Sequence, residues 1–388
     1  MQTEKINIWE FGNKVYIKPK NKFLARINSE IHKKFGNKKN FYLKLKTEIP
    51  YGTFRNLLKY YYYKKGYYAS LFTFLKICNK LKIPKENLQK NIDSYKIRGG
   101  YNIIYEPILP VKITPIFDMI LAHNIADGTV INSKKNRQLY FGYRQFNKKF
   151  RIAYVKKLES IFGKIKYKKE YFNKKTRPYC PAVLSLVFFK YYNLNENSFL
   201  SKSARLPKKL LNKNNDHLLA VLIAFIIDEG NIDSSLISIR LKNKKLTEDL
   251  YKICKKLGYK STLTKKGKYG NLYILRNGMK KFFADYIKLS KKYREINLYK
   301  MEKKIRNSFN IYSRKISRIK GNKKIIIRLI KSENLTVNQI AEKINMTRQG
   351  VRYHIHKLEN ENKIFRKGYI GRKNIVYSFG GEDRCKSV

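Results

Sequence analysis

Two acidic residues, Asp127 and Glu229, each stand immediately before a glycine at the end of an apolar run. Ile116 to Gly128 reads IFDMILAHNIADG, and Leu218 to Gly230 reads LLAVLIAFIIDEG. An acid that recurs in the same local setting points to an internal duplication. Two carboxylates brought to one point repel each other and are costly unless a cation lies between them. A hard divalent metal with oxygen ligands is the natural partner for such a pair.

The elements that must position these acids are helices. Thr114-Pro115 supplies a hydroxyl N-cap followed by proline at the first helical position, and Asn215 or Asp216 can cap the second run. A run apolar on all faces is a buried helix, and both are too short to span a bilayer. Gly128 and Gly230 occupy the position just past the helix, where a left-handed residue is expected. Ala122 and Ala224, five residues before the two acids, allow the helices to approach closely and set both carboxylates at the ends of their dipoles.

Ile120 to Gly128 (ILAHNIADG) and Leu222 to Gly230 (LIAFIIDEG) resemble the two motifs of a single-chain LAGLIDADG homing endonuclease. His123 and Asn124 depart from the family pattern, standing where it has apolar residues. Ile125 and Ile227 stand where the family name spells Asp. The resemblance covers roughly residues 106–300 and implies an α+β fold, a duplicated αββαββα saddle with the motif helices at its centre. It further implies double-stranded DNA as substrate, one phosphodiester hydrolysed on each strand across the minor groove, and Mg²⁺ held by Asp127 and Glu229. By the same resemblance a basic residue, here Lys292, stabilises charge at the scissile phosphate, and the chain acts as a monomeric pseudo-dimer.

Composition agrees. The 388 residues carry 87 Lys and Arg against 27 Asp and Glu, a net charge of +60, with 31 tyrosines interleaved. Such a balance points to a polyanion, and nucleic acid is favoured over a membrane surface. A genome rich in A and T would also raise Lys, Asn, Ile and Tyr, so tyrosine abundance by itself says little. Cys78, Cys180, Cys254 and Cys385 are scattered without metal-ligand or disulfide spacing, and MQTEKINIWEFG lacks the apolar core of a signal peptide. A cytoplasmic protein is expected.

In chain order, residues 1–105 read as a basic, mostly helical domain: helices at Ala25–Phe35, Phe41–Glu48, Thr53–Tyr63, Leu71–Leu81 and from Pro84 to about Asn91. The turn Ile49-Pro50-Tyr51-Gly52 before Thr53, with Arg55, Asn56 and Lys59 outward, fits a helix-turn-helix and equally a helical bundle with a solvated lysine face. Aromatic positions in Leu71–Leu81 read as core rather than as a cofactor site. Residues 106–214 form the first repeat and 215–300 the second, each with strands and a helix after its motif. The latter helices are closed by Gly163 and Gly258.

Arg144 and Gln145 in the first repeat, and Arg240 and Lys242 in the second, fall just before Asn147 and Asn243. They are candidate contacts to two half-sites, arginine to guanine edges and lysine to phosphates.

Residues 301–320 read as a connector, and 321–380 as a winged helix-turn-helix. Thr336 and Gln339 make a capping box, Thr347 caps the third helix, and Ile364–Tyr369 with Asn374–Phe379 form the wing. Arg348, Gln349, Arg352 and Tyr353 would face the major groove, and Arg366, Arg372 and Lys373 the backbone or minor groove. A wing used for protein contacts is the alternative.

Met1-Gln2 and the C-terminal Lys386-Ser387-Val388 lack the residues of a splicing intein, so a free-standing reading frame is expected. The competing function is a regulator that kept the saddle for binding and lost cleavage. Some sporulation regulators resemble that layout, and in them the acids are gone, whereas both remain here. A purely architectural DNA-packaging protein would leave the paired acids unexplained.

Overall fold

The computed structural model describes residues 4–98, 102–133, 138–167, 179–233, 235–265, 267–313, 321–344, 346–370 and 374–380. It divides into two units, Met1–Met301 and Glu302–Val388. Helix and antiparallel sheet are mixed throughout.

At the centre of the first unit lie the two motif helices, Pro115–Ala126 and Asn215–Glu229. Every residue from Pro115 to Ile125 and from Leu218 to Ile227 is buried, as apolarity on all faces requires. The Thr114 hydroxyl accepts from the Phe117 amide at 3.4 Å, with Pro115 entering the helix behind it. The second cap is Asn214, one residue earlier than expected, and its side chain accepts from the His217 amide at 3.4 Å. Asp118 meets His217 in the first turns, and His123 meets Asp228 toward the other ends. The helices therefore run in the same direction, and their carboxyl ends converge.

The motif glycines serve a purpose other than the one expected. Gly230 is extended, with φ −86° and ψ 147°, and Gly128 likewise does not take a positive φ. What excludes a side chain is space. A Cβ on Gly128 would lie 2.3 Å from the Asn124 Cα, and one on Gly230 2.4 Å from the Ile226 carbonyl oxygen. Each chain turns straight from helix into strand, and only glycine lets the strand start so close to the last turn. Gly163 (φ 116°) and Gly258 (φ 70°) do take a positive φ.

After Gly230 the second repeat builds a four-stranded antiparallel sheet in the order Gly230–Ile232, Leu236–Leu241, Gly270–Leu275, Ser261–Thr264. Helices Lys244–Lys256 and Arg276–Lys292 pack on it. Ile237, Ile239 and Leu241 point into the core while Arg240 and Lys242 are exposed, the two-residue period of a half-buried strand. The first repeat has a three-stranded sheet, Tyr179–Cys180, Gln138–Tyr143, Gly128–Ser133, with helix Lys148–Phe162 after the hairpin. Val183–Tyr192 is a second helix of this repeat.

The first hundred residues contain more sheet than their sequence suggests. Ala69–Ser70, Val15–Pro19, Ile92–Ile97, Ile104–Tyr105 and Lys164–Ile165 form one antiparallel sheet. Its last strand comes from the first repeat, and Lys5–Ile6 pairs with Val111–Lys112, so pairing bridges the expected boundary at residue 105. The helix expected over Thr53–Tyr63 is two, Tyr51–Leu57 and Tyr60–Lys64. Its break has a visible cause: the Tyr63 hydroxyl donates to the Leu57 carbonyl at 2.9 Å, and the Asn28 amide to the Leu58 carbonyl at 3.0 Å. Arg55, Asn56 and Lys59 are exposed, as read from the sequence; Tyr61 and Tyr67 are exposed too, and so is Phe72, an aromatic of Leu71–Leu81 expected in the core.

In the second unit, helices Asn322–Ser332, Val337–Lys343 and Arg348–Asn360 precede a hairpin of Ile364–Ile370 with Asn374–Phe379. Ile326, Ile330, Ile340, Val351, Ile355, Leu358 and Ile364 form its core. The Thr336 amide donates to Gln339 Oε1 at 2.8 Å, completing the capping box, and Thr347 Oγ1 accepts from the Gly350 amide at 3.0 Å. Among the described residues, no helix is long and apolar enough to cross a membrane.

Candidate functional site

Asp127 closes the first motif helix, its amide donating to the His123 carbonyl at 3.0 Å, and Glu229 is the last residue of the second. Both side chains are partly buried. Burial, followed by the charges of Asp228 and Glu229, pushes the Asp127 carboxyl up to about 7, with Arg144 opposing. Burial, followed by the charge of Asp228, pushes Glu229 up to about 7 as well. The two acids thus lie within electrostatic reach of one another in a place that favours a proton or a cation.

Asp228 is the third carboxylate of this centre and faces the other way. Its side chain is fully buried, accepts from the Tyr143 hydroxyl at 2.5 Å, and pairs with His123 Nδ1 at 2.8 Å. Tyr143 stacks on Tyr154 at 4.3 Å between centroids, and the Tyr154 hydroxyl meets the Asn124 amide, which also donates to the Ile120 carbonyl at 3.0 Å. His123 and Asn124, the polar departures in the first motif, are therefore members of a buried brace that joins helix, hairpin and helix. Lys157, buried on helix Lys148–Phe162, reaches the Tyr299 hydroxyl at 3.3 Å. Burial pushes its ammonium down to about 8, opposed by Asp228 and Glu295.

Arg144 follows Tyr143, the strand partner of Gly128, and Arg240 follows Ile239, the partner of Gly230. The duplicated frame thus presents an arginine at matching places. The Arg144 amide donates to the Asp127 carbonyl at 2.9 Å, its side chain is exposed, and its charge bears on the Asp127 carboxyl. Buried Arg151 fixes this segment by donating to the Gln145 and Phe146 carbonyls at 2.5 and 2.6 Å. Gln145 is half-buried, Lys242 is exposed, and the Arg240 guanidinium lies 4.1 Å from the Tyr269 ring centroid.

Lys292 is not brought to the acids. It pairs with Asp216 at 2.8 Å, in the first turn of the helix whose last residue is Glu229. At the α-helical rise that is about 20 Å from Glu229. Sequence reasoning also missed Asp228, Tyr143, Arg151 and Lys157 as members of the site. The one advance signal is for Asp228, a second acid beside Glu229 directly after the apolar run ends at Ile227.

In the second unit Arg348, Gln349, Arg352 and Tyr353 are all exposed on one helix, and the Lys357 ammonium lies 4.9 Å from the Tyr353 ring centroid. Arg366 is paired with Glu359 at 3.0 Å, and Arg372 and Lys373 lie outside the described residues.

No cluster of three or more His, Cys, Asp or Glu placed to hold a metal ion occurs among the described residues. Two carboxylates still fit magnesium, which characteristically takes one or two protein acids and fills the rest of its shell with water and substrate phosphate.

Residues 322–370 match the family model described as an HTH domain. No curated protein sequence matches the chain. Among solved structures it is similar to a mesophilic variant of the homing endonuclease I-DmoI, with 15% identity, a TM-score of 0.32 and coverage of 44% of this chain and 94% of that one. I-DmoI in complex with DNA and Ca gives 16% identity, a TM-score of 0.31 and coverage of 44% and 88%. Full-length DUF199/WhiA from Thermatoga maritima gives 12% identity, a TM-score of 0.28 and coverage of 64% and 90%.

Proposed function

We propose that this chain is a site-specific endonuclease of the LAGLIDADG type that hydrolyses double-stranded DNA with Mg²⁺. The observation that carries the reading is the convergence of Asp127 and Glu229 at the ends of two buried helices, each pushed up to about 7. Placing two carboxylates there costs stability, and a centre that binds a cation and a phosphate gives that cost a purpose. When bound, Mg²⁺ would supply charge neutralisation at the scissile phosphate and an activated water.

The chain's own residues do the rest. Asp127 and Glu229 would hold the metal through their carboxylates. Asp228, braced by His123 and Tyr143, fixes the second helix end against the first and keeps negative potential on both acids. Arg144, exposed beside Asp127, takes the phosphate-facing role first given to Lys292, and Arg240 is its counterpart in the second repeat. The exposed faces of the sheet strands and the 322–370 module lie along duplex DNA, where Arg348, Gln349, Arg352 and Tyr353 read base edges. The duplication supports a monomer that treats two half-sites as a pseudo-dimer.

The 322–370 module also favours a second reading, a non-cleaving DNA-binding regulator. Purified protein incubated with genomic DNA and Mg²⁺, with ends mapped by sequencing, separates the two. Recurrent paired breaks, absent from an Asp127→Asn, Glu229→Gln double variant, are expected. Tight binding at discrete places without breaks would establish the regulator instead.

A further inference from the structure

Between Ile49 and Lys85 the chain contains no Asp or Glu, while Arg55, Lys59, Lys64, Lys65, Lys76, Lys80 and Lys82 fall within it. Three large rings in this acid-free stretch are left in solvent: Tyr61 is 64% exposed, Tyr67 52% and Phe72 54%. Codon usage can explain how many tyrosines a chain has, but not why rings remain outside a core that buries Tyr63 and Tyr95 in the same region.

The exposed rings are held in place by neighbours that are anchored. Tyr63 is buried and tied to the Leu57 carbonyl, and the Tyr68 hydroxyl meets Ser94 Oγ at 2.9 Å. Between them Gly66 turns the chain with φ 84°, and Tyr67 stacks on Tyr62 with centroids 4.6 Å apart and planes 19° from parallel. The same small region thus already holds one ring-on-ring stack. Cations accompany the rings. The Lys65 ammonium lies 4.7 Å from the Tyr61 centroid, Lys76 4.8 Å from Phe72, and Lys64 5.7 Å from Tyr60.

At Tyr61 and Phe72 the ammonium lies over one face of the ring, so a base stacks on the opposite face or displaces the flexible lysine, whose charge then meets the nucleotide's phosphate. Double-stranded DNA offers such rings no free base face without unstacking and kinking, whereas a lysine-only face would serve it without that cost. We propose that the stretch from Tyr60 to Lys76 binds single-stranded nucleic acid. Tyr61, Tyr67 and Phe72 stack on unpaired bases, and Lys64, Lys65 and Lys76 meet the phosphates. This function is separate from the acidic centre and stands whether or not that centre cuts duplex DNA.

The test uses the full chain in EDTA at physiological salt, with fluorescence anisotropy of labelled twenty-nucleotide oligothymidylate, twenty-nucleotide oligouridylate and a duplex of the same length. A Tyr61→Leu, Tyr67→Leu, Phe72→Leu variant keeps apolar volume and removes the rings, so it should fold. It is expected to lose about tenfold or more in affinity for a single strand, while duplex affinity stays within about twofold. Tyr61→Phe with Tyr67→Phe keeps both rings and should bind as the parent does. The two oligonucleotides tell whether the 2′-hydroxyl is used, and a selective loss on either supports the proposal. It is overturned if the leucine variant, with an unchanged melting temperature, binds both single strands within about twofold of the parent. An equal loss on single strand and duplex overturns it too.

Discussion

The two repeats share a frame and differ in what they bury. In the second, the motif helix is apolar up to Ile227 and then presents Asp228 to the interior. In the first, the residue at the place of Asp228 is Ala126, and the polar groups are His123 and Asn124, higher in the helix. The difference is complementary, because His123 and Tyr143 of the first repeat serve the carboxylate of the second. At the opposite end the roles reverse: Asp118 of the first helix receives Lys213 at 3.0 Å and His217 at 2.5 Å, with Tyr192 alongside. A duplicated pair has thus become a mutual clamp, with one buried acid from each motif helix and a histidine from the opposite motif helix on each. The outer acids, Asp127 and Glu229, are left free of that structural work.

The clamp is tested first where it is most deeply buried. Asp118→Ala leaves Lys213 and His217 without their carboxylate and should cost about 3 to 5 kcal/mol in denaturant unfolding. Asp228→Asn keeps the shape and part of the hydrogen bonding, and should cost about 2 kcal/mol by the same measurement. A loss below about 0.5 kcal/mol for both would mean that the helices are held by apolar packing alone.

A milder contrast lies at the equivalent helix caps. Asn243 is buried, caps the Leu246 amide at 3.0 Å and also donates to the Ala204 carbonyl at 2.7 Å, whereas Asn147 is exposed and caps only the Lys149 amide. Asn243→Ala should cost about 2 kcal/mol and Asn147→Ala about 1 kcal/mol in matched melts. Equal losses would remove the asymmetry between the two caps.

The smallest effect has the opposite sign. Asp127 and Glu229 rise from ordinary values of 3.8 and 4.5 to about 7, so the folded chain keeps protons that the unfolded chain has released. Their contribution to stability is full below the ordinary values and is lost as pH rises through about 7. In metal-free buffer, Asp127→Asn or Glu229→Gln should therefore change little at pH 4. At pH 8 each should stabilise by about 1 kcal/mol, allowing for solvent screening of these partly exposed groups. Destabilisation at pH 8 would show that the carboxylates are held by partners rather than crowded.

Much of this architecture is legible in the residues. Apolar runs without a polar face must be buried helices, and the Thr114, Thr336 and Thr347 caps fix three helix starts. The alternation in Leu236–Leu241 tells which side faces solvent. What stays hidden depends on partners distant in sequence. Asp228 reads as one more acid before a glycine until His123 and Tyr143 are seen on it. Lys292 falls in a plausible basic run but pairs with Asp216, at the opposite end of the helix that carries Glu229. The strands at Val15–Pro19 and Ile92–Ile97 are short and polar on one side, and they become strands by pairing with each other. The motif glycines are conspicuous in the sequence, but backbone crowding rather than handedness explains them.

The most direct test of the central claim compares cutting and binding of the same genomic DNA by the parent protein and by Glu229→Gln in Mg²⁺. The account predicts that the variant loses double-strand cutting and keeps its binding sites with affinity within about twofold. Undiminished cutting by the variant would contradict it.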